Sequence, residues 1–208
     1  MSSRDVEYEE QYDLDLLRKR ALKAREVSLQ MLRDRGYKVS REYNKVKTVL
    51  PSAKDLYIQG ESDSLGPIGV FWSLEDKVRT EMVRSLILEM DKLKLTHVIL
   101  ITPTDKYTSG TKKVLLDLLK SKKWKVEIFE FSELQYNPSQ HELNPKYRIL
   151  SSEEVKKLME AYELQDLRQL PILRYDDILS RYLGLSRNRV VQFVRPGPDK
   201  TVNYRLVW

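Results

Sequence analysis

Residues 68–131 limit what this chain can fold into more than any other stretch. Three short apolar runs, "IGVFW", "HVILI" and "KVEIFEF", are separated by two segments with helical periodicity. Val78, Met82, Val83, Leu86, Ile87, Met90 and Leu93 keep that period in the first segment, and Val114, Leu115, Leu118 and Leu119 keep it in the second. Strand, helix, strand, helix, strand at this spacing predicts an α/β layer with parallel pairing, since the crossover helices return the chain to the same end of the sheet. Ser73, three residues before Asp76, reads as an N-cap with an acid in the first turn. "KVEIFEF" alternates like a strand with one wet face, and Glu127 and Glu130, three apart, fall on opposite sides of it as solvent or edge charges.

The flanks are less regular. Leu14, Leu17, Leu22, Val27, Leu29 and Leu32 sit in a charge-rich helix that Gly36 is placed to stop. Residues 40–66, with the loop-like "QGESDSLGP", read as a strand or hairpin followed by a mobile connection. At "QYNPSQHELNPK" the composition turns polar around two prolines, so a domain boundary falls near residue 138, giving domains 1–138 and 139–208. Downstream, Ser151 and Glu154 make a capping box on a short helix, and "LPILRYDD" reads as an extended, proline-stiffened link.

The string "ILSRYLGLSRNRVVQFVR" scans as a DNA-reading helix-turn-helix, with Gly184 in the turn, Leu185 plugging it and Ser186 capping a second helix. The residues after the turn argue otherwise. "RVVQFVR" is β-rich, "PGPDK" stops a helix, and "TVNYRLV" alternates again, so two strands around a turn fit better than a recognition helix. Asn188 suits a left-handed position entering the first strand, and a helix over 177–183 stands on either reading.

Bulk properties exclude more than they identify. With 37 Lys and Arg against 31 Asp and Glu, the net charge of +6 permits nucleic-acid contact without requiring it. No cysteine means no disulfide, thiol catalysis or zinc–thiolate site, and no apolar run approaches membrane-spanning length; the expectation is a soluble, intracellular protein without membrane contact. The two histidines, His97 and His141, lie far apart, and no metal-ligand spacing is present, so no catalytic, cofactor-binding or metal residue is expected. His97, at the head of a buried run, reads as a satisfied structural residue.

Most of the chain, most strongly from residue 141 onward and more loosely between residues 40 and 125, resembles the fifth subunit shared by eukaryotic nuclear RNA polymerases, a family with an archaeal counterpart. Leu170, Pro171, Asp177, Arg181, Tyr182, Gly184, Leu185, Arg187, Val190, Val191, Arg195, Pro196, Tyr204 and Arg205 stand at matching places. His141, Glu142, Leu143 and Pro145 resemble that family's His-Glu-Leu-x-Pro opening, and "DRGYKVSRE" its Arg-Gly-Tyr segment. Departures are Ile178 for Pro, Asn188 for Gly, Tyr147 for His, and "TSGT" for a Thr-Pro-Ser-Ala loop. They suggest a divergent eukaryotic lineage or a large DNA virus's own copy.

The resemblance implies an α+β / α/β fold: an N-terminal α/β jaw domain, non-catalytic and similar to restriction-type endonucleases, followed by a small mixed α/β assembly domain. It implies a polymerase subunit without chemistry of its own. The assembly domain would dock on the largest subunit among the other polymerase subunits, and the jaw would lie by downstream duplex DNA without reading its sequence. The setting would be the nucleus for a cellular protein, or a virus factory or virion for a viral one. The residues implied at or behind the subunit interface are His141, Arg181, Tyr182, Arg187, Val191, Arg195, Tyr204 and Arg205; packing of the small core accounts for Tyr182 equally well. Lys106, Lys112 and Lys113 flank a helix start and are implied DNA contacts, whereas Lys120, Lys122, Lys123 and Lys125 close that helix. Solvation alone explains either lysine set; the jaw resemblance favours DNA for the first. A stand-alone helix-turn-helix regulator and a degenerate nuclease-like DNA-binding protein are the alternatives, the latter lacking the Glu-x-Lys on "IGVFW", "HVILI" or "VEIFEF" that such nucleases use to hold Mg²⁺.

Overall fold

A computed structural model describes residues 3–44, 46, 51–75, 77–120, 123–140, 145–195 and 201–208, with the backbone alone for 3–13, 41 and 44. The chain forms two compact units, Met1–Tyr136 and Asn137–Trp208. Both are mixed α/β, each built on one mixed sheet. No helix among the described residues is long and apolar enough to cross a membrane.

The first unit opens with helix α1 (Ser3–Asp34), whose buried Ala21, Ala24, Val27, Ser28, Met31 and Leu32 mark one face. Gly36, at φ 85°, ends it: the amides of Gly36 and Tyr37 bond back to the carbonyls of Arg33 and Leu32, a turn that needs the left-handed conformation. Arg25 is buried on the same helix because its Nε donates to the Leu56 carbonyl at 3.1 Å. Strands β1 (Lys38–Val39), β2 (Ile58–Ser62) and β3 (Gly66–Trp72) follow and pair antiparallel. The "QGESDSLGP" segment is therefore not a mobile connection but the β2–β3 hairpin itself, with Ser62 opposite Gly66. Only glycine fits at 66: φ is 76°, and a Cβ would lie 2.8 Å from Thr96 Oγ1.

From β3 the expected rhythm appears: α2 (Thr80–Lys92), β4 (His97–Thr102), α3 (Ser109–Lys120) and β5 (Lys125–Glu130), with β3, β4 and β5 parallel. β4 is buried along its whole length, as a central parallel strand covered on both faces must be. Leu86, Met90 and Leu118 from α2 and α3 pack on Phe71, Val98 and Leu100. The helix start expected at Ser73 is displaced. The Ser73 amide stays bonded to the Ile101 carbonyl and its Oγ accepts from the Glu75 amide, so the chain follows the sheet further before α2 begins behind Arg79 without a side-chain cap. Asp76 lies outside the described residues.

The second unit is a four-stranded sheet in the order β6 (Lys146–Ile149), β8 (Val190–Val194), β9 (Val202–Val207), β7 (Ile172–Leu173). Helices α4 (Ser152–Ala161) and α5 (Ile178–Tyr182) complete it. Ser151 and Glu154 form the expected reciprocal cap on α4. "LPILRYDD" is more than a link, since Ile172 and Leu173 pair in parallel with Leu206 and Val207.

The helix-turn-helix reading ends here. Asp177 caps the single short turn of α5, and Gly184 (φ 62°) closes it: the amides of Gly184 and Leu185 bond to the carbonyls of Arg181 and Ser180. Ser186 caps no second helix. Asn188 takes φ 66°, its amide donates to the Val207 carbonyl, and β8 begins two residues later as one arm of an antiparallel hairpin with β9. Residues 196–200, Pro196 among them, lie outside the described residues.

Candidate functional site

The loop from β4 into α3 carries the first lysine set. Thr108 caps α3, its Oγ1 accepting from the Thr111 amide at 3.2 Å. The Thr111 hydroxyl, fully buried, donates to the Val78 carbonyl at 3.0 Å, which leaves the Thr108 hydroxyl to donate to Thr111 Oγ1 at 2.7 Å. Gly110 lets this turn approach the start of α2, where a Cβ would meet Thr80 Oγ1 at 3.1 Å. The "TSGT" loop, which departs from the resembled pattern, is thus fully used by the fold: Thr108 caps, Ser109 opens the helix, Gly110 permits the close approach and Thr111 is the buried tie. On this base Lys106, Lys112 and Lys113 are all exposed. The α3 first turn holds no acid, and Lys112 and Lys113 make no ion pair among the described residues.

Two members of the second lysine set have partners within the fold. Lys123 pairs with Asp91 and lies 4.2 Å from the Trp124 ring centre, and Lys125 reaches Glu127 Oε1 at 3.1 Å. Lys120 is exposed in the last turn of α3, where its charge suits the helix dipole; Lys122 is outside the described residues.

Glu127 corrects the reading of "VEIFEF". It is not a solvent charge but the centre of a largely buried network. Arg35, just past the end of α1, grips it with both terminal guanidinium nitrogens, Nη2 to Oε2 at 2.7 Å and Nη1 to Oε1 at 3.2 Å. His97 Nε2 lies 2.7 Å from Oε1, and His97 Nδ1 lies 3.0 Å from the Tyr37 hydroxyl. An ionised carboxylate only accepts, so Nε2 carries the hydrogen and Nδ1 accepts from Tyr37. Burial pushes the Glu127 carboxyl up, but the Arg35 charge, the His97 hydrogen bond and Lys125 together hold it well below the usual carboxylate range. Burial outweighs Glu127 at His97 and keeps the ring neutral at neutral pH. The network joins α1 to β4 and β5, and His97 is the satisfied structural residue its position implied. Glu130, on the other side of β5, caps the 3-10 turn at Phe131–Leu134.

No group of three or more His, Cys, Asp or Glu among the described residues is placed to hold a metal ion.

In the second unit the seven implied interface residues that are described do not form one surface. Tyr182 and Val191 are fully buried and belong to the core. Tyr204 and Arg205, adjacent on β9, point to opposite faces. Tyr204 accepts from Gln192 Nε2 at 3.1 Å and meets the Tyr162 ring edge-on, while exposed Arg205 lies 5.9 Å from the Phe193 ring centre. Arg187 is exposed above Tyr175, 5.2 Å from its ring centre. Arg195 is exposed at the end of β8, and Arg181 is half-buried on α5. His141 lies outside the described residues.

A two-unit chain of this kind, with an α/β sheet layer followed by a small mixed sheet closed by a valine-rich hairpin, defines a class. Residues 136–207 match the family "RNA polymerase Rpb5, C-terminal domain". Similarity extends over nearly the whole chain. It is 31% identical over 192 residues to the subunit rpabc1 of DNA-directed RNA polymerases I, II, and III of Dictyostelium discoideum, covering 90% of this chain and 96% of that protein. It is 28% identical over 205 residues to the Caenorhabditis briggsae subunit RPABC1, covering 90% and 95%. Against the DNA-directed RNA polymerase V subunit 5A of Arabidopsis thaliana it is 29% identical over 198 residues, covering 89% and 86%. The chain belongs to the Rpb5 family of RNA polymerase subunits.

Proposed function

We propose that this chain is a non-catalytic subunit of a multisubunit DNA-directed RNA polymerase, working in the nucleus. The observation that carries the proposal is the length of the match: relatives named as polymerase subunits align with both units, not with the C-terminal family segment alone. In this reading the second unit, from about residue 139, docks on the largest subunit. Exposed Arg187, Arg195 and Arg205 are its contacts, half-buried Arg181 joins them, Tyr204 supports the opposite face of β9, and buried Tyr182 and Val191 belong to the core that holds them. Arginine's planar fork suits such an interface. The first unit is a jaw-like domain with the restriction-endonuclease type of fold, beside downstream duplex DNA. Its contact there is the α3 start, where Lys112 and Lys113 add side-chain charge to the amides of a helix N-terminus. Such contact is independent of sequence and weakens with salt.

Affinity purification of the tagged full chain from its native source tests the proposal. Stoichiometric recovery of the largest polymerase subunits supports it. Recovery of the chain alone, or as a homodimer that binds one operator sequence, overturns it.

A further inference from the structure

Helices α2 and α3 pack over β3, β4 and β5, but the same face of the sheet continues past α2 towards β2. There it opens into a groove of about 420 Å³. Tyr57 and Phe71 line its sheet side, their rings 4.9 Å apart, and Met82, Leu86 and Leu93 line its helix side. Phe71 and Leu86 are nearly buried, whereas Leu93 is 39% exposed, so the groove has an apolar floor and an open, apolar lip. The hydrophobic effect favours covering such a surface, and its place beside α2 is where a further helix would continue the layer.

The rim says what kind of helix. Lys54, four residues before β2, and Lys92, in the last turn of α2, both line the groove, and the antiparallel register Ile58 opposite Val70 carries the chain ahead of β2 towards the Trp72 end of β3. Neither ammonium forms an ion pair among the described residues, and Glu89 is the one acid lining the groove. A helix running antiparallel to α2 would bring its positive N-terminal end to the negative C-terminal end of α2, with acidic first-turn residues meeting Lys92. Acidic residues near its other end would meet Lys54.

We propose that this groove docks an amphipathic helix of a partner protein, with an apolar face of large side chains bordered by acidic residues. Its lining residues all belong to the first unit and do not include the lysines at the α3 start, so it adds a protein contact to the first unit that the polymerase reading does not require. Docking is helix-in-groove, with Leu93 and Met82 as the groove's accessible anchors and Lys54 and Lys92 selecting charge.

The test uses the full chain with labelled Met and Leu methyl groups. The probe is a synthetic helix of about 15 residues, with Leu and Phe along one face and Glu at its borders. A second probe replaces Glu with Lys. The acidic probe is expected to shift the Met82, Leu86 and Leu93 resonances and to bind at least about tenfold more tightly than the basic one. Leu93→Asp, at an exposed lip, and Ser85→Arg, which obstructs the groove from the surface of α2, should each weaken binding by about tenfold or more while thermal unfolding stays unchanged. Lys54→Glu with Lys92→Glu should reverse the preference between probes. Equal binding of both probes overturns the proposal, as do shifts outside the groove, indifference to both Leu93→Asp and Ser85→Arg, or displacement of the probe by a duplex DNA oligonucleotide.

Discussion

Each unit holds a glutamate gripped by an arginine, and the two serve opposite purposes. Glu127 is largely buried and joins three elements distant in sequence: the end of α1, the start of β4 and β5. Glu154 is exposed and closes a local loop: Arg148 from β6, the Ser151 amide and the first turn of α4. At Glu127, burial opposes ionisation and the neighbouring cations overcome it. At Glu154, the Ser151 amide and then Arg148 pull the carboxyl down to about 2 with little desolvation to overcome. The difference is one of context. A buried charge network imposes one arrangement of α1 against the sheet, since any partner left alone there is costly. A surface cap only biases where a helix begins.

Breaking this contrast should produce a graded series. Glu127→Ala leaves Arg35 buried without its anion and should cost about 3–5 kcal/mol, measured by denaturant unfolding of the full chain. Tyr37→Phe removes the donor to His97 Nδ1 and should cost about 1–3 kcal/mol. Ser151→Ala removes the cap of α4 and should cost about 1 kcal/mol, changing the second unit and leaving hydrogen exchange in β4 and β5 untouched. Equal losses for Glu127→Ala and Ser151→Ala would erase the distinction.

The pH dependences also separate. The folded-state pKa of His97 lies below its ordinary 6.5, so the unfolded chain binds more protons just under that value. Its contribution is complete above about 6.5 and falls as pH drops below it. Glu154 contributes fully above its ordinary 4.5 and loses that contribution as pH falls towards 2. Hydrogen exchange should therefore show protection in β4 beginning to fall as pH drops below 6.5, before α4 responds below 4.5. His97→Gln should remove the earlier phase, and its persistence would assign it elsewhere.

Much of this organisation is legible in the sequence because it is periodic or local. The parallel β3–β4–β5 layer, the stop at Gly36, the α4 capping box and the demotion of the recognition helix all rest on patterns within a few residues. The Glu127 network rests on none. Its principal partner is Arg35, 92 residues earlier, and period-two alternation cannot distinguish a wet face from one covered by a distant helix. The apparent cap at Ser73 misleads for a related reason, since its amide is held by Ile101 on the neighbouring strand. The groove beside α2 is hidden as well, because Tyr57 and Leu93, 36 positions apart, line it together only in the folded unit. Among the implied interface residues, the family pattern groups buried Tyr182 and Val191 with exposed Arg187 and Arg205, and only residue type hints at which belong to the core.

The two proposed roles divide between the units, assembly through the second and DNA contact through the first. Quantitative recovery of the largest polymerase subunit with two tagged full-length variants tests this division most directly. Arg187→Glu with Arg195→Glu should reduce recovery by about tenfold or more, the order expected when charged interface contacts are reversed. Lys112→Glu with Lys113→Glu should retain full recovery while lowering the salt dependence of DNA retention by the assembled enzyme. Full recovery with the arginine pair reversed, or its loss with the lysine pair reversed, would contradict the account.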